Sequence, residues 1–386
     1  MSTWTKQKFK NFASLQRGFD LPQQDRIAGE VPVVASTSIT AYHNQFKVKA
    51  PCVTTGRSGA LGEVLYIDVD CWPLNTALWV KNFHGNNPKF VYFKMKTLGL
   101  EKFNAGAGVP TLNKNHLDTL EVSVPDLPTQ TRIASLLSAY DDLIENNEKR
   151  IKALEEMAQL LYTEWFVKFK FPRSTSSGQA GHEKVKLVDS GNEYGKIPEG
   201  WEVGILDKIS TLIKKKFIEK EDRNLPLVDM ARINHRNLSI TNIGHSSELS
   251  TSRIIFNTND ILFGSIRPYL YKVALASFQG VTNISVFVLR AKESYLKAFH
   301  TITLFRNETV NWANHHSAGT KMPVIKWELF KKMPLLIPGK EILERYNNIV
   351  GSVLDQINEL SIINRNISKT RDLLIPQLVT GKRELK

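Results

Sequence analysis

The feature that most constrains this chain is that it repeats itself at a spacing of 213 residues. Ala105-Gly106, Pro110, Pro125, Arg132, Asp142, Ile144 and Leu160-Leu161 recur as Ala318-Gly319, Pro323, Pro338, Arg345, Asp355, Ile357 and Leu373-Leu374, without a gap from 105 to 170. That is nine identities in 66 positions, so identity alone does not carry the repeat. The apolar register does. In the first copy Ile133, Leu137, Tyr140, Ile144, Asn147, Ile151, Leu154, Ala158, Leu161 and Trp165 follow in alternating steps of four and three. The second copy takes the same steps through Tyr346, Val350, Val353, Ile357, Leu360, Asn364, Ile367, Arg371, Leu374 and Leu378. A period of 3.5 residues is the seam of a coiled coil. Each seam carries one Asn, a residue that costs stability there but fixes register and pairing.

A short β-type run ending in proline introduces each seam: Leu120 to Pro125 and Met333 to Pro338. Thr129 is the expected N-cap of the first helix, Pro172 lies beyond its end, and Gly381 is the expected stop of the second. The front halves echo more faintly. Trp4 and Phe9 answer Trp201 and Leu206, and Gly56-Arg57-Ser58-Gly59 answers Ser265-Ile266-Arg267-Pro268 at an offset near 209. The organisation predicted is a first module (1–125), a spacer helix (126–171), a small polar linker (172–196), a second module (197–338) and a second spacer helix (339–386). The fold class is α/β (α+β) modules in two copies, pseudo-twofold related, separated by two long antiparallel coiled-coil helices. Each helix would be roughly 55–60 Å long at about 1.5 Å per residue. A lone helix would leave its stripe in water, so the other copy is the economical partner.

The 386 residues carry 51 Lys+Arg against 38 Asp+Glu, a formal charge of +13, which points to an anionic partner such as nucleic acid. Two cysteines, Cys52 and Cys71, exclude a disulfide scaffold and a Cys-rich zinc site, and suit a reducing cytoplasm. No apolar run is long enough to span a membrane, and the polar N-terminus gives no expectation of secretion; a cytoplasmic location is expected.

The search for chemistry finds no P-loop, no nucleophile elbow and no metalloprotease spacing around His315-His316. Phe103 to Gly108 resembles a methyltransferase glycine loop only until its repeat partner, Ser317 to Met322, is set beside it; the shared Ala-Gly reads as a turn. A non-catalytic chain, with no metal or cofactor of its own, is expected. Basic and polar clusters are more informative. Arg17, Arg57 and Ser58 in the first module, and Lys214, Lys215, Lys216, Arg232, Asn234, Arg236, Arg267, Tyr269 and Lys272 in the second, are the candidate DNA-binding residues. Arg and Asn pair bidentately with guanine and adenine edges, while Lys mainly meets phosphate. Two basic modules on a spacer suit two DNA segments a fixed distance apart. A coiled-coil scaffold without a DNA role, or an enzyme with a divergent site, would share the same seams.

Five stretches carry a resemblance. They are Pro125-Asp126-Leu127-Pro128-Thr129-Gln130-Thr131-Arg132-Ile133-Ala134, Leu143-Ile144-Glu145-Asn146-Asn147, Leu160 to Val167, Ile197-Pro198-Glu199-Gly200-Trp201, and Leu374 to Gly381. In these and in the order module, helix, module, helix, the chain resembles the specificity subunit of Type I restriction–modification systems. The resemblance implies two recognition domains, each reading half of a split double-stranded DNA target. It implies helices that dock two methyltransferase subunits, with motor–nuclease subunits joining for restriction. S-adenosylmethionine, ATP and Mg²⁺ would belong to those partners. The linker from Arg173 to Gly181 looks longer and richer in Ser and Gly than the family suggests.

Overall fold

A computed structural model describes residues 3–106, 108–172, 185–222, 224–249 and 252–385. The Ser/Gly-rich stretch from Arg173 to Gly181 lies outside the described residues. The chain packs as two compact units, one of 1–143 with 367–386 and the other of 144–366.

Unit 1 holds strands β1 (Trp4–Lys8), β2 (Ser14–Arg17), β3 (Val31–Val34), β4 (Ile39–His43), β5 (Cys52–Gly56), β6 (Val64–Ile67), β7 (Trp72–Pro73), β8 (Ala77–Asn82) and β9 (Glu121–Pro125), with helix α1 (Pro88–Met95). Its antiparallel sheet runs β2-β8-β5-β6, a second sheet runs β4-β3-β7, and β1 pairs with β9. Unit 2 holds β10 (Leu187–Asp189), β11 (Lys196–Pro198), β12 (Glu202–Ile205), β13 (Ser210–Ile213), β14 (Pro226–Leu227), β15 (Gly244–His245), β16 (Arg253–Phe256), β17 (Ile261–Gly264), β18 (Val273–Leu275), β19 (Gly280–Asn283), β20 (Val286–Ala291) and β21 (Pro334–Ile337). Its sheets run β13-β20-β17-β18 and β15-β14-β19-β16, and β12 pairs with β21. The two four-stranded antiparallel sheets have the same order, so the faint echo of the front halves is a repeated topology. The registers confirm it: Gln16 faces Trp79 as Ile213 faces Val288.

Long helices α2 (Leu127–Tyr162) and α4 (Lys340–Val379) follow β9 and β21, and α3 (Lys297–Phe305) packs within unit 2. The N-cap of α2 is Asp126, whose Oδ1 accepts the Thr129 N–H at 3.0 Å. This corrects the expectation for Thr129, which lies buried inside the first turn. Pro128 has no N–H to satisfy, so the helix can begin one residue before it. Hydrogen bonding from Thr129 holds the Asp126 carboxyl below the usual carboxylate range. At the other end of α4, Gly381 takes φ +76, and a Cβ there would come 2.9 Å from the Trp4 ring. Lys94 of α1 donates to the Val379 carbonyl at 2.8 Å, a cation placed on a helix C-terminus.

The seam residues divide between the two units. In unit 1, Ile133, Leu137 and half-buried Leu374 join one core with Phe9, Phe12 and Phe90, while Tyr140 and Ile367 are half-buried. Arg371 is paired there with Asp141 at 2.5 Å. In unit 2, Ile151, Tyr346, Val350, Val353, Ile357 and Leu360 are buried in one core, with Leu154 and Leu161 packed against it and Ile144 half-buried. The helices run antiparallel in that unit. Tyr346 reaches the Ala158 carbonyl at 3.1 Å, while Asn147 Nδ2 donates to Asn364 Oδ1 at 2.8 Å. Asn364 Nδ2 in turn donates to the Ile144 carbonyl at 3.2 Å. Both Asn side chains are buried. Asn364→Leu alone is expected to cost about 1–3 kcal/mol, because it strands the Asn147 amide. Asn147→Leu with Asn364→Leu should recover that loss; an unrecovered double variant in urea unfolding would disprove the pair.

Candidate nucleic-acid interface

In unit 1, β2 ends at Arg17 and β5 runs straight into Arg57. Arg17 is exposed, 3.8 Å from Asp20. Arg57 is half-buried, and its Nη1 donates to the Asn75 carbonyl at 3.0 Å. Ser58 is held by its backbone, whose carbonyl accepts from Ser36 Oγ at 2.7 Å. Arg17 and Arg57, with Gln16, Asn113 and Lys114, line a cavity of about 570 Å³. Three cations around one concavity attract an anion, and the two arginines keep planar donors at its wall.

In unit 2, β13 ends at Ile213 and releases Lys214, Lys215 and Lys216, all exposed. Lys214 and Lys216 edge a cavity of about 460 Å³ with Arg253. Arg253 lies over the Phe217 ring at 4.6 Å and donates to the Leu249 carbonyl at 2.7 Å.

The remaining candidates gather around the turn after β17. Arg267 and Tyr271 take left-handed φ of +48 and +51 at its two ends. Tyr269 stands on it, 53% exposed. Arg236, itself at φ +50, covers the Tyr271 ring at 4.7 Å. Lys272 Nζ donates to the Ile233 carbonyl at 2.5 Å. Two candidates are committed to the fold. Arg232 is locked between Asp229, at 2.8 Å, and Glu248. Asn234 donates to Thr241 Oγ1 at 3.1 Å and the Ser239 carbonyl at 3.3 Å.

The turn also corrects a register. Leu112 N–H bonds the Arg57 carbonyl as Ile325 N–H bonds that of Ser265, and Gly59 N–H bonds Pro110 as Arg267 N–H bonds Pro323. The offset is therefore 208, and Arg267 occupies the place of Gly59, not of a residue beside Arg57. Gly59 and Gly62 take φ of +89 and +99 without strain. The turn of unit 2 is one residue longer and puts Arg267 and Tyr271 in the left-handed region, at a cost of about 1–2 kcal/mol each. Non-glycine residues in such positions cluster where side chains do something.

Sequence reasoning missed Arg253, Phe217, Asn113 and Lys114, which are far in the chain from the clusters they join. His316 stacks on Trp312 at 3.9 Å, and no group of three or more His, Cys, Asp or Glu placed to hold a metal ion occurs among the described residues. No described helix is long and apolar enough to cross a membrane.

Two modules that share one sheet order, each followed by a long helix, define a duplicated α/β architecture. The family profile described as Type I restriction modification DNA specificity domain matches residues 1–156 and again 198–370. The chain therefore belongs to that family. It is 26% identical to the Type I restriction enzyme MjaIX specificity subunit of Methanocaldococcus jannaschii, covering 82% of this chain and 74% of that one. It is 21% identical to the HindI specificity subunit of Haemophilus influenzae, covering 77% and 75%. The crystal structure of the Type I restriction–modification S subunit from M. genitalium superposes with a TM-score of 0.59 at 14% identity, over 100% of this chain and 97% of that one, which shows a shared fold.

Proposed function

We propose that this chain is the specificity subunit of a Type I restriction–modification complex, that it carries no catalysis of its own, and that each module reads one half of a bipartite double-stranded DNA target. The observation that carries the reading is the double family match, which falls once on each module with its helix. The net charge of +13 and the basic cavities supply the attraction for DNA. The paired helices set the number of base pairs between the half-sites and dock two methyltransferase subunits, which motor–nuclease subunits join. Adenine methylation with S-adenosylmethionine, and ATP- and Mg²⁺-dependent work, lie in those partners.

Methylome sequencing of cells carrying this chain with its methyltransferase partner tests the reading. A split motif with a constant gap is expected. Methylation or cleavage by the purified chain alone would favour a single-chain enzyme, and sequence-independent binding at every salt concentration would favour a scaffold. Arg57→Ala and Arg267→Ala are each expected to weaken one half-site only, by about 1–3 kcal/mol where the residue reads a base; equal loss on all sequences reassigns that residue to phosphate. Lengthening α2 or α4 is expected to change the permitted gap, and an unchanged gap would reject the ruler.

A further inference from the structure

The two cavities share one edge in the repeated topology, at the matched pairs Gln16 and Ile213, Arg17 and Lys214, and Leu78 and Phe287, but differ in chemistry. Gln16 and Ile213 are matched by register, since their partners Trp79 and Val288 are matched. Arg17 and Lys214 follow them. Arg57 N–H bonds the Thr76 carbonyl as Ser265 N–H bonds that of Ser285, which matches Asn75 with Ile284 and Leu78 with Phe287. A cation therefore stands at the rim in both units, while Gln16 of the unit 1 cavity, and Asn75 outside it with its amide donating to Asp20, give way to Ile213 and Ile284, which both line the unit 2 cavity. Ile284 is 65% exposed, on a wall of that cavity edged by Lys214, Lys216 and Arg253.

Ile284 thus pairs an exposed apolar side chain with three cations on one concavity, which disfavour a cationic occupant and favour an anionic one. The cations complement phosphates. Between phosphates, the apolar feature that a duplex presents in its major groove is the thymine 5-methyl group. We propose that Ile213 and Ile284 are specificity-determining residues of unit 2 that contact thymine methyls in its half-site, whereas the matched positions of unit 1 present amide side chains. This rests on the reading that the chain binds a bipartite DNA target.

The test uses the full chain in its methyltransferase complex and duplexes carrying the methylome-derived target. Ile284→Ser, an exposed change that leaves the core intact, identifies the half-site of unit 2 as the one it weakens. Replacing thymine by deoxyuracil in that half-site of the wild-type duplex should weaken binding about four-fold per contacted methyl. The Ile284→Ser complex should discriminate the thymine from the deoxyuracil duplex less than the wild type does, keeping only the contact made by Ile213. Specific binding that is indifferent to deoxyuracil, or a half-site without thymine, overturns the methyl contact while leaving the specificity-subunit reading intact. Failure to bind any bipartite sequence overturns both.

Discussion

Tyr346→Ala is expected to lower the unfolding free energy by about 3–5 kcal/mol, the range for removing a large buried aromatic. Tyr346 is fully buried in α4 of unit 2. Its ring lies 4.6 Å from Phe166, 5.6 Å from Trp165 and 6.4 Å from Tyr162, each near the end of α2. Tyr162 stacks on Phe299 of α3 at 5.4 Å, so one ring joins three helices. Its hydroxyl also donates to the Ala158 carbonyl at 3.1 Å. Tyr346→Phe removes only that hydrogen bond and should cost about 1 kcal/mol. Urea unfolding of the two variants checks the split; similar losses would mean that the ring contributes little.

Glu155→Gln is expected to stabilise the protein above pH 7 by about 2–3 kcal/mol and to change nothing at pH 4. Glu155 is a buried carboxyl on α2, and its Oε1 accepts the Leu238 N–H at 2.6 Å. Burial pushes its pKa up to about 7 from 4.5, against the Leu238 hydrogen bond, with neighbouring Glu156 adding to the rise. The folded state therefore holds a proton that the unfolded chain has released. The stability this gives is full below 4.5 and is lost as pH rises towards 7. Glutamine keeps the acceptor and has no charge to desolvate. Thermal unfolding against pH is the measurement, and wild-type and variant curves that run parallel from pH 4 to 8 would reject the account.

The long helices were legible from the sequence because a coiled-coil seam is a local, periodic pattern, and the two seam Asn residues stood out as breaks in it. That they bond each other, Asn147 to Asn364, was not legible, since the repeat aligns Asn147 with Leu360 and Asn364 with Ile151. The N-cap was misplaced by three residues because Asp126 and Thr129 are both good caps, and only the backbone path chooses between them. Nothing local marks Glu155 as buried, since the loop that covers it lies 83 residues away.

The candidate interface divides the same way. Residue type and loop position singled out Arg57, Lys214 and Arg267, but could not tell them from Arg232, whose acidic partners are read only in three dimensions. The one-residue slip between Arg57 and Arg267 arose because the offset drifts from 197 in the first strand to 213 in the helix, as strand pairing and backbone hydrogen bonds show. The sequence by itself determined what repeats: the two seams, the basic excess and the order of module and helix, all carried by local periodicity and composition. The tertiary structure alone decided which cations remain available, which polar groups are buried and which residues of the two modules are equivalents. Those depend on contacts between segments far apart in the chain, and no local pattern encodes them.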